Sequence, residues 1–193
     1  MSKTDLLEAI AGKNRGLLAT PSDRQAIFAA AAQLEENNPT PRPLESPEKL
    51  GGDWRLLYTS SQALLGLDRF PLAKLGQIYQ CIRPQRAAVY NIAELYGLPW
   101  LESVVSVVAR FEPLTEQRVR VVFERSIVGL RGLINYSSPR DYVAQIESGR
   151  KFLALDFGLN REGQGGWLEI TYLDNDLRIS RGNEGSLFVL AKV

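Results

Sequence analysis

Residues 166–193 read GWLEITYLDNDLRISRGNEGSLFVLAKV and contain the pattern of two β-hairpins in succession. Apolar and polar residues alternate over 166–173, the run Asp174-Asn175-Asp176 interrupts them, and alternation resumes over 177–181. After a Gly-rich turn, residues 186–193 form a further strand-like run. A period of two residues bounded by Asp, Asn and Gly is typical of β-strands joined by tight turns. The end of the chain therefore predicts three antiparallel strands.

The same kind of pattern recurs upstream of these hairpins. The further candidate strands are residues 53–59, 77–83, 87–95, 102–111, 118–127 and one near 151–156. No helical patterns alternate with them, which argues against a parallel α/β fold. About eight antiparallel strands are enough for a small closed barrel, which has no exposed edges and can hold one small ligand. We therefore predict a mainly β protein in which residues 51–193 form an antiparallel β-barrel of about eight strands.

The first 50 residues carry a helical pattern instead. Thr20 is a favourable N-cap, Pro21 suits the first helical position, and Asp23 stabilises the first turn of the helix that follows. A Pro-rich segment, residues 39–47, then predicts an extended connector. We predict that residues 1–50 form a helical hairpin and connector packed on the barrel, within one structural domain. A separate protein-binding module is the alternative.

The composition excludes several classes of function. The chain of 193 residues has 23 basic and 22 acidic side chains, and no run of Lys and Arg forms the basic surface that nucleic-acid binding requires. It has no His, which excludes Ser-His-Asp catalysis and His-ligated metals, and its single cysteine, Cys81, cannot form a disulfide within the chain. Asp174 and Asp176 lie in a predicted turn, where Asp bonds to the backbone, and this favours a turn over paired catalytic carboxylates. We expect no enzymatic activity, no cofactor and no metal.

The sequence also indicates where the protein is found. No segment reaches the roughly 18–20 consecutive apolar residues that cross a bilayer. Residues 1–5 lack a signal peptide's apolar segment, and no Arg- and Ser-rich leader precedes the first helix. A lone cysteine needs no oxidising compartment. We expect a soluble cytoplasmic chain that can lie against a membrane.

Alternation predicts which side chains face the barrel interior. The residues expected to contact a ligand there are Leu56, Tyr58, Val107, Val121, Phe123 and Arg125. Arg125 lies on the same predicted face as the apolar row of the fifth strand. Arg181 lies on the same predicted face as Leu177 and Ile179. An inward arginine needs a partner, because an unpaired buried charge is costly. The partner is either a carboxylate or aromatic ring of the protein or the polar end of a ligand, and Arg125 is the better ligand candidate.

The segment after the first strand, residues 60–76, is too apolar for an ordinary solvent loop. Its large apolar side chains include Leu64, Leu65, Leu67, Phe70 and Leu72. It is expected near one end of the barrel, where it covers the core, acts as a lid over the mouth, or dips into a lipid surface. A second apolar loop, residues 129–134, follows the fifth strand and would add to a hydrophobic entrance.

Six short motifs, spread over nearly the whole chain, match those of a known family. The first four are Asn14-Arg15-Gly16-Leu17, residues 38–43 (NPTPRP), residues 52–59 (GDWRLLYT) and residues 75–80 (LGQIYQ). The most specific are residues 171–182 (TYLDNDLRISRG) and residues 185–190 (GSLFVL). Together they resemble the motifs of the plastid lipid-associated proteins, or fibrillins, and specifically of their cyanobacterial relatives.

This resemblance implies a lipocalin-like barrel at thylakoids or lipid droplets that binds or organises carotenoids, prenylquinones or membrane lipids and supports photoprotection. Gly52-x-Trp54 is also similar to the first-strand motif of lipocalins, in which the Trp closes one end of the barrel and an Arg from a late strand packs across it. Arg181 matches that Arg by place and predicted inward orientation, whereas Arg178 is predicted to face outward. The resemblance therefore implies that Trp54 and Arg181 are structural. Plant members carry a transit peptide that this sequence lacks, so a cyanobacterial origin is expected.

These inferences lead to one favoured function and two rivals. We expect a non-enzymatic protein that binds or organises a hydrophobic molecule or lipid, in peripheral contact with the thylakoid membrane. The first rival is an interaction protein whose barrel is filled by aromatic side chains and which docks on a prenylquinone-synthesis enzyme or a photosynthetic complex. The second is a cyclase or isomerase that uses carboxylates and tyrosine, and the absence of histidine weakens it.

Overall fold

The computed structural model describes residues 2–69, 73–98, 100–159 and 166–193. Within these ranges the strands are β1 (Gly52–Thr59), β2 (Ala73–Arg83), β3 (Ala88–Gly97), β4 (Ser103–Pro113), β5 (Arg118–Leu130), β6 (Leu155–Gly158), β7 (Gly166–Leu173), β8 (Leu177–Gly182) and β9 (Leu187–Lys192). The α-helices of the same ranges are α1 (Lys3–Ile10), α2 (Pro21–Glu35), α3 (Pro47–Leu50), α4 (Gln62–Leu65) and α5 (Pro139–Glu147).

Eight of the strands form a closed antiparallel ring. Around the ring the order is β4-β3-β2-β1-β9-β8-β7-β5, and the pairing of β4 with β5 closes it. β5 pairs with two strands in succession, since residues 118–121 pair with β7 and residues 125–128 pair with the short strand β6. The predicted mainly β fold, an antiparallel barrel of about eight strands with N-terminal helices, is confirmed.

Irregular pairing at four places changes which side chains face inward. A β-bulge sets two residues of one strand opposite one residue of its partner, so the alternation of side chains reverses beyond it. The register shifts lie at Leu56/Tyr58 in β1, at Leu75/Ile78 in β2, at Val108/Ala109 between β4 and β5, and at Ile170/Tyr172 in β7. Alternation counted along the sequence therefore identifies the interior only up to each bulge.

Helices α1 and α2 pack on the outer face of the ring, over β1, β8 and β9. Both begin with a capping box, in which the hydroxyls of Ser2 and Thr20 accept from the backbone of Asp5 and Asp23. The predicted helix start at Thr20 and Pro21 is thus confirmed. The buried side chains between helices and strands include Leu6, Ile10, Ile27, Ala31, Leu34, Tyr58, Leu177, Ile179 and Val189.

A glycine sets the loop between α1 and α2 against β1. Asn14 and Arg15 have φ values of 45° and 59°, and Gly16 follows with φ of 111°. A Cβ atom at Gly16 would lie 2.2 Å from the carbonyl oxygen of Thr59. Only glycine combines this backbone conformation with so close an approach, which explains its place in the motif at residues 14–17.

Helix α5 covers a second part of the outer face. The Tyr142 hydroxyl lies 3.0 Å from the hydroxyl of Ser106 in β4, and both groups are buried. Ile134, from the apolar loop at residues 129–134, is fully buried in the same cluster, whereas its neighbour Leu133 is 54% exposed. No helix in the described part of the chain is long and apolar enough to cross a membrane.

The Pro-rich connector closes one end of the ring. Gln117, in the turn between β4 and β5, donates a hydrogen bond from Nε2 to the carbonyl oxygen of Pro41 at 2.7 Å. The Trp54 indole donates from Nε1 to the carbonyl oxygen of Leu50 at 2.9 Å. Leu44 of this segment and Leu50 of the short helix α3 that follows it line the cavity. The connector, rather than the helical hairpin, therefore forms the floor of the barrel.

Candidate functional site

The ring encloses a cavity of about 690 Å³. Its apolar wall residues include Leu56, Ile78, Val107, Phe111, Val121, Phe123, Phe188 and Leu190. Small-molecule sites in proteins are typically cavities of about 300–1,000 Å³ with mainly apolar walls and a few polar groups. The barrel is therefore hollow enough to enclose an organic ligand.

The predicted ligand-contacting residues Leu56, Val107, Val121 and Phe123 all line this cavity. Val121 and Phe123 lie on β5 opposite Phe111 and Ala109 of β4, before the bulge in this pair of strands. Alternation counted from the strand start therefore holds for them. Their contact with a ligand stays a prediction.

Tyr58 lies on the opposite face, and its predicted place inside the barrel is wrong. Leu56 pairs with Leu190, but Tyr58 pairs with Val189, so Leu57 is the extra residue of a bulge. The bulge turns Tyr58 outward, where it is fully buried against α1 and α2.

Arg125 also lies outside the barrel, and its predicted inward orientation is wrong for the same reason. Phe123 pairs with Ala109 and Arg125 with Val108, which leaves Glu124 as the extra residue. Arg125 donates from Nε and Nη2 to the two carboxylate oxygens of Asp156 in β6, at 2.7 and 2.5 Å. These bonds hold the pKa of the Asp156 carboxyl below its ordinary value. Arg125 thus has its partner within the protein.

The arginine that packs across Trp54 is Arg178, and the prediction that assigned this place to Arg181 is wrong. The Arg178 guanidinium carbon lies 5.0 Å from the centre of the Trp54 ring, and both side chains are fully buried. Arg181 faces α2 outside the ring, where its Nε and Nη2 donate to the carboxylate of Glu35 at 2.9 and 2.7 Å. The apolar row of β8 packs beneath α1 and α2, so the polar residues of this strand face inward.

Polar residues that alternation did not identify form one end of the cavity wall. They are Gln80, Asn91, Arg178 and Ser180. Arg178 donates from Nη2 to Gln80 Oε1, and Gln80 donates from Nε2 to Asn91 Oδ1 at 2.8 Å. Burial lowers the pKa of the Arg178 guanidinium to about 9, so the group is charged at neutral pH. We call these four residues the polar end. The sequence signal that could have revealed it is the polar row of β8, Arg178 and Ser180, which alternates with Leu177 and Ile179.

The apolar segment after β1 covers part of the cavity. Leu64 and Leu67 of this segment pack on the inner apolar cluster, and Leu64 lines the cavity. Leu65 is buried as well. Phe70 and Leu72 lie outside the described residues. Of the three expected roles, this packing agrees with covering the core, and the roles as lid and as membrane contact stay predictions.

Exposed apolar side chains lie where β6 extends the barrel wall. Phe157 pairs with Ser126, which itself pairs with the cavity-lining Val107, so Phe157 and Leu155 lie on the cavity side of the wall. Their exposed fractions are 50% and 70%, and that of Phe123 is 39%. We call Phe123, Leu155 and Phe157 the apolar rim, because they connect the cavity wall to the solvent.

The groups at the polar end of the cavity can hold a ligand by hydrogen bonds. Its polar end offers amide, hydroxyl and guanidinium groups, which hold a polar atom in place. The Cys81 thiol is fully buried on the other side of the wall, and its burial and the nearby Asp53 carboxylate raise its pKa, which makes it a poor nucleophile. Among the described residues, no group of three His, Cys, Asp or Glu side chains is placed to hold a metal ion.

Known proteins match this chain over nearly its whole length. The family model PAP_fibrillin matches residues 1–191. A plastid-lipid-associated protein of Citrus unshiu is 32% identical over 217 aligned positions, which cover 98% of this chain and 67% of the relative. A chromoplast-specific carotenoid-associated protein of Cucumis sativus is 31% identical over 216 positions, with shares of 98% and 67%. A chloroplastic light-induced protein of Solanum tuberosum is 32% identical, with shares of 98% and 66%.

The chain spans about two thirds of the length of these relatives. No solved structure matches it. The family match covers both the N-terminal helices and the barrel, and it confirms the resemblance first indicated by the six sequence motifs. The chain belongs to the PAP_fibrillin family, the family of the plastid-lipid-associated proteins.

Proposed function

We propose that this protein binds a hydrophobic molecule inside its barrel and does not catalyse a reaction on it. The observation that carries the proposal is the cavity of about 690 Å³ with its mainly apolar wall. The names of the relatives support it, since one is plastid-lipid-associated and another carotenoid-associated. The proposed ligand is a carotenoid, a prenylquinone or a membrane lipid.

The apolar wall is large enough to give a useful affinity. Burying about 450 Å² of apolar ligand surface contributes roughly 11 kcal/mol. Loss of ligand freedom and ordering of side chains cost at least about 4 kcal/mol. At most about 7 kcal/mol therefore remains, which corresponds to a Kd of about 10 µM or weaker. No specific chemistry is required for binding of this strength.

We further propose that the ligand passes between the cavity and the surface of the thylakoid membrane, in a role that supports photoprotection. The apolar rim supports this contact, because exposed apolar side chains beside a cavity are suited to a lipid surface. The relatives in Solanum tuberosum and Citrus unshiu are chloroplastic.

Co-sedimentation with vesicles of thylakoid lipids tests the contact between the protein and the membrane. Protein that stays in the supernatant at low ionic strength contradicts this contact. The cyanobacterial origin stays a prediction.

The variant Phe123→Glu tests the cavity itself. A carboxylate at Phe123 should weaken the binding of decylplastoquinone at least about tenfold, because it replaces the apolar contact of the ring and loses hydration when a ligand covers it. Quenching of tryptophan fluorescence measures binding, since Trp167 lines the cavity.

The matched control is Val122→Glu, which introduces the same charge at the next residue, on the outer face opposite Arg110. Its affinity should stay within about twofold of wild type. Equal affinities for wild type, Phe123→Glu and Val122→Glu, with all three folded, would show that the ligand does not use the cavity.

The rival with a filled barrel loses its structural support. It required large aromatic side chains to occupy the interior, but Tyr58 lies outside the ring. Phe111 and Phe123 line a cavity that they leave open. Docking on a protein partner therefore has no observation that favours it over ligand binding.

A further inference from the structure

The polar end of the cavity contains a buried arginine without a carboxylate. The Arg178 side chain is 0% exposed, and its Nε and Nη1 have no hydrogen-bond partner among the described residues. No carboxylate in the described part of the chain is bonded to the guanidinium, and burial lowers its pKa. The hydroxyl of Ser180, two residues along β8, is also buried without a partner in the same part of the structure. Buried charges in proteins are normally paired, since an unpaired one costs several kcal/mol.

Arg178 also determines how the neighbouring side-chain amides are oriented. A guanidinium group only donates hydrogen bonds, so Gln80 has to present its Oε1 to Arg178. The Gln80 amide nitrogen then donates to Asn91 Oδ1 at 2.8 Å. The Asn91 amide nitrogen, at the end of this series, is left as a donor. Gln80 and Asn91 are half-buried and line the cavity, so the polar end presents N–H donors beside a positive charge.

The other charged groups near the cavity leave the charge at its closed end positive. Lys192 places its Nζ 5.1 Å from the centre of the Trp54 ring and donates to the carbonyl oxygen of Lys49 at 2.8 Å, which adds a second cation at the closed end. Glu184 lines the cavity from the exposed turn between β8 and β9. Glu48 of α3 acts on Lys192 and favours its charged form, but burial and the nearby Arg178 outweigh it and lower the pKa of Lys192. The closed end therefore favours an acceptor that carries negative charge.

We propose that the cavity binds a single-chain lipid with a carboxylate head group, seated on Gln80 and Asn91 with Arg178 behind them. This rests on the proposed binding of a hydrophobic molecule in the cavity, and it selects a lipid acid over a carotenoid or a prenylquinone as the ligand. The carboxylate accepts hydrogen bonds from the two amides and compensates the arginine charge, while the apolar chain lies along Leu56 and Val107. The guanidinium is covered in the empty cavity, so a direct bond from Arg178 requires the Gln80 side chain to turn aside.

The experiment compares dodecanoate with dodecanol, which share a chain and differ in the head group. Isothermal titration at pH 8 should show dodecanoate binding at least about tenfold more tightly, since a charged hydrogen bond replaces a neutral one. The variant Gln80→Glu supplies an internal carboxylate beside Arg178 and should remove this preference, so that the ratio of the two affinities approaches one. Gln80→Met has a similar length and adds no carboxylate; it removes one amide donor but leaves the Asn91 donor and the Arg178 charge, so the preference should shrink without disappearing. Circular dichroism confirms that each variant is folded.

Each result separates the two proposals. Equal binding of dodecanoate and dodecanol by wild type overturns the carboxylate inference and leaves the hydrophobic cavity intact. A preference that persists in Gln80→Glu overturns the assignment to Arg178. Binding of neither ligand by folded wild-type protein overturns the proposed function together with the inference.

Discussion

At the scale of single residues, the closed end of the barrel depends on Trp54. Its indole contacts two cations, Arg178 and Lys192, whose charged groups lie 5.0 and 5.1 Å from the ring centre. Its Nε1 donates to Leu50, so the same side chain joins β1 to the connector beneath it. A desolvated cation over an indole face contributes about 2 kcal/mol. Trp54 therefore compensates in part for the burial of Arg178.

The variant Trp54→Phe tests this role. It removes the hydrogen bond to Leu50 and reduces the aromatic face, so the free energy of unfolding in urea should fall by about 2 kcal/mol. The control is Trp100→Phe, because Trp100 is 73% exposed and its replacement should change stability by less than about 0.5 kcal/mol. Equal effects of the two substitutions on the free energy of unfolding would show that Trp54 does not stabilise the closed end.

At the scale of elements, helix α1 is joined to the turn between β7 and β8 by one carboxylate. Asp174 accepts from Lys3 Nζ at 2.8 Å and from the backbone N–H groups of Asp176 and Leu177 at 2.9 and 2.6 Å. Burial by itself would raise the pKa of Asp174, but these bonds, with one from the Tyr172 hydroxyl, outweigh it and hold the pKa well below its ordinary value. The carboxylate is a turn residue, as the sequence favoured, and it also fixes a helix.

The variant Asp174→Asn should lower the free energy of unfolding by about 1–2 kcal/mol at pH 7. Because folding lowers the pKa of Asp174, the stabilisation is fully present at pH values above the unfolded-state pKa of about 3.9. It is lost as the pH falls below that value. Denaturation series at pH 7, 4 and 2.5 should therefore show a difference from wild type that shrinks with acidity. Asp176→Asn serves as control: the Asp176 carboxylate also accepts from Lys3 Nζ, at 2.6 Å, but it is 72% exposed, so its loss should change the free energy of unfolding by less than about 0.5 kcal/mol. A difference that does not change with pH would contradict the account.

The bulges also explain which parts of the site could be predicted from sequence. Turn residues and alternation predict the strands, and Leu56 and Phe123 lie as predicted because they precede the bulges of their strands. Tyr58 and Arg125 lie beyond those bulges, which leave no mark in the residue types, so alternation assigns them to the wrong face. The predicted outward orientation of Arg178 was wrong for another reason. An apolar row predicts that one face of a strand is covered, but it does not predict whether the barrel interior or a helix covers that face.

At the scale of the whole molecule, two apolar layers share one sheet. The inner layer lines the cavity, and the outer layer packs beneath α1, α2 and α5. Because the helices cover the outer faces of several strands, those strands place polar residues such as Arg178 and Ser180 inside without exposing an apolar surface. The arrangement yields a hollow barrel with a polar end, whose volume no composition or periodicity could predict.

The central claim is that this cavity holds a hydrophobic molecule. The most direct test is to isolate the protein from the cells in which it is naturally made and to analyse its organic extract by mass spectrometry, with native mass spectrometry for stoichiometry. We predict one apolar molecule for each folded chain, and the inference about the polar end predicts that this molecule carries a carboxylate head group. Folded protein that carries no apolar molecule would contradict the account.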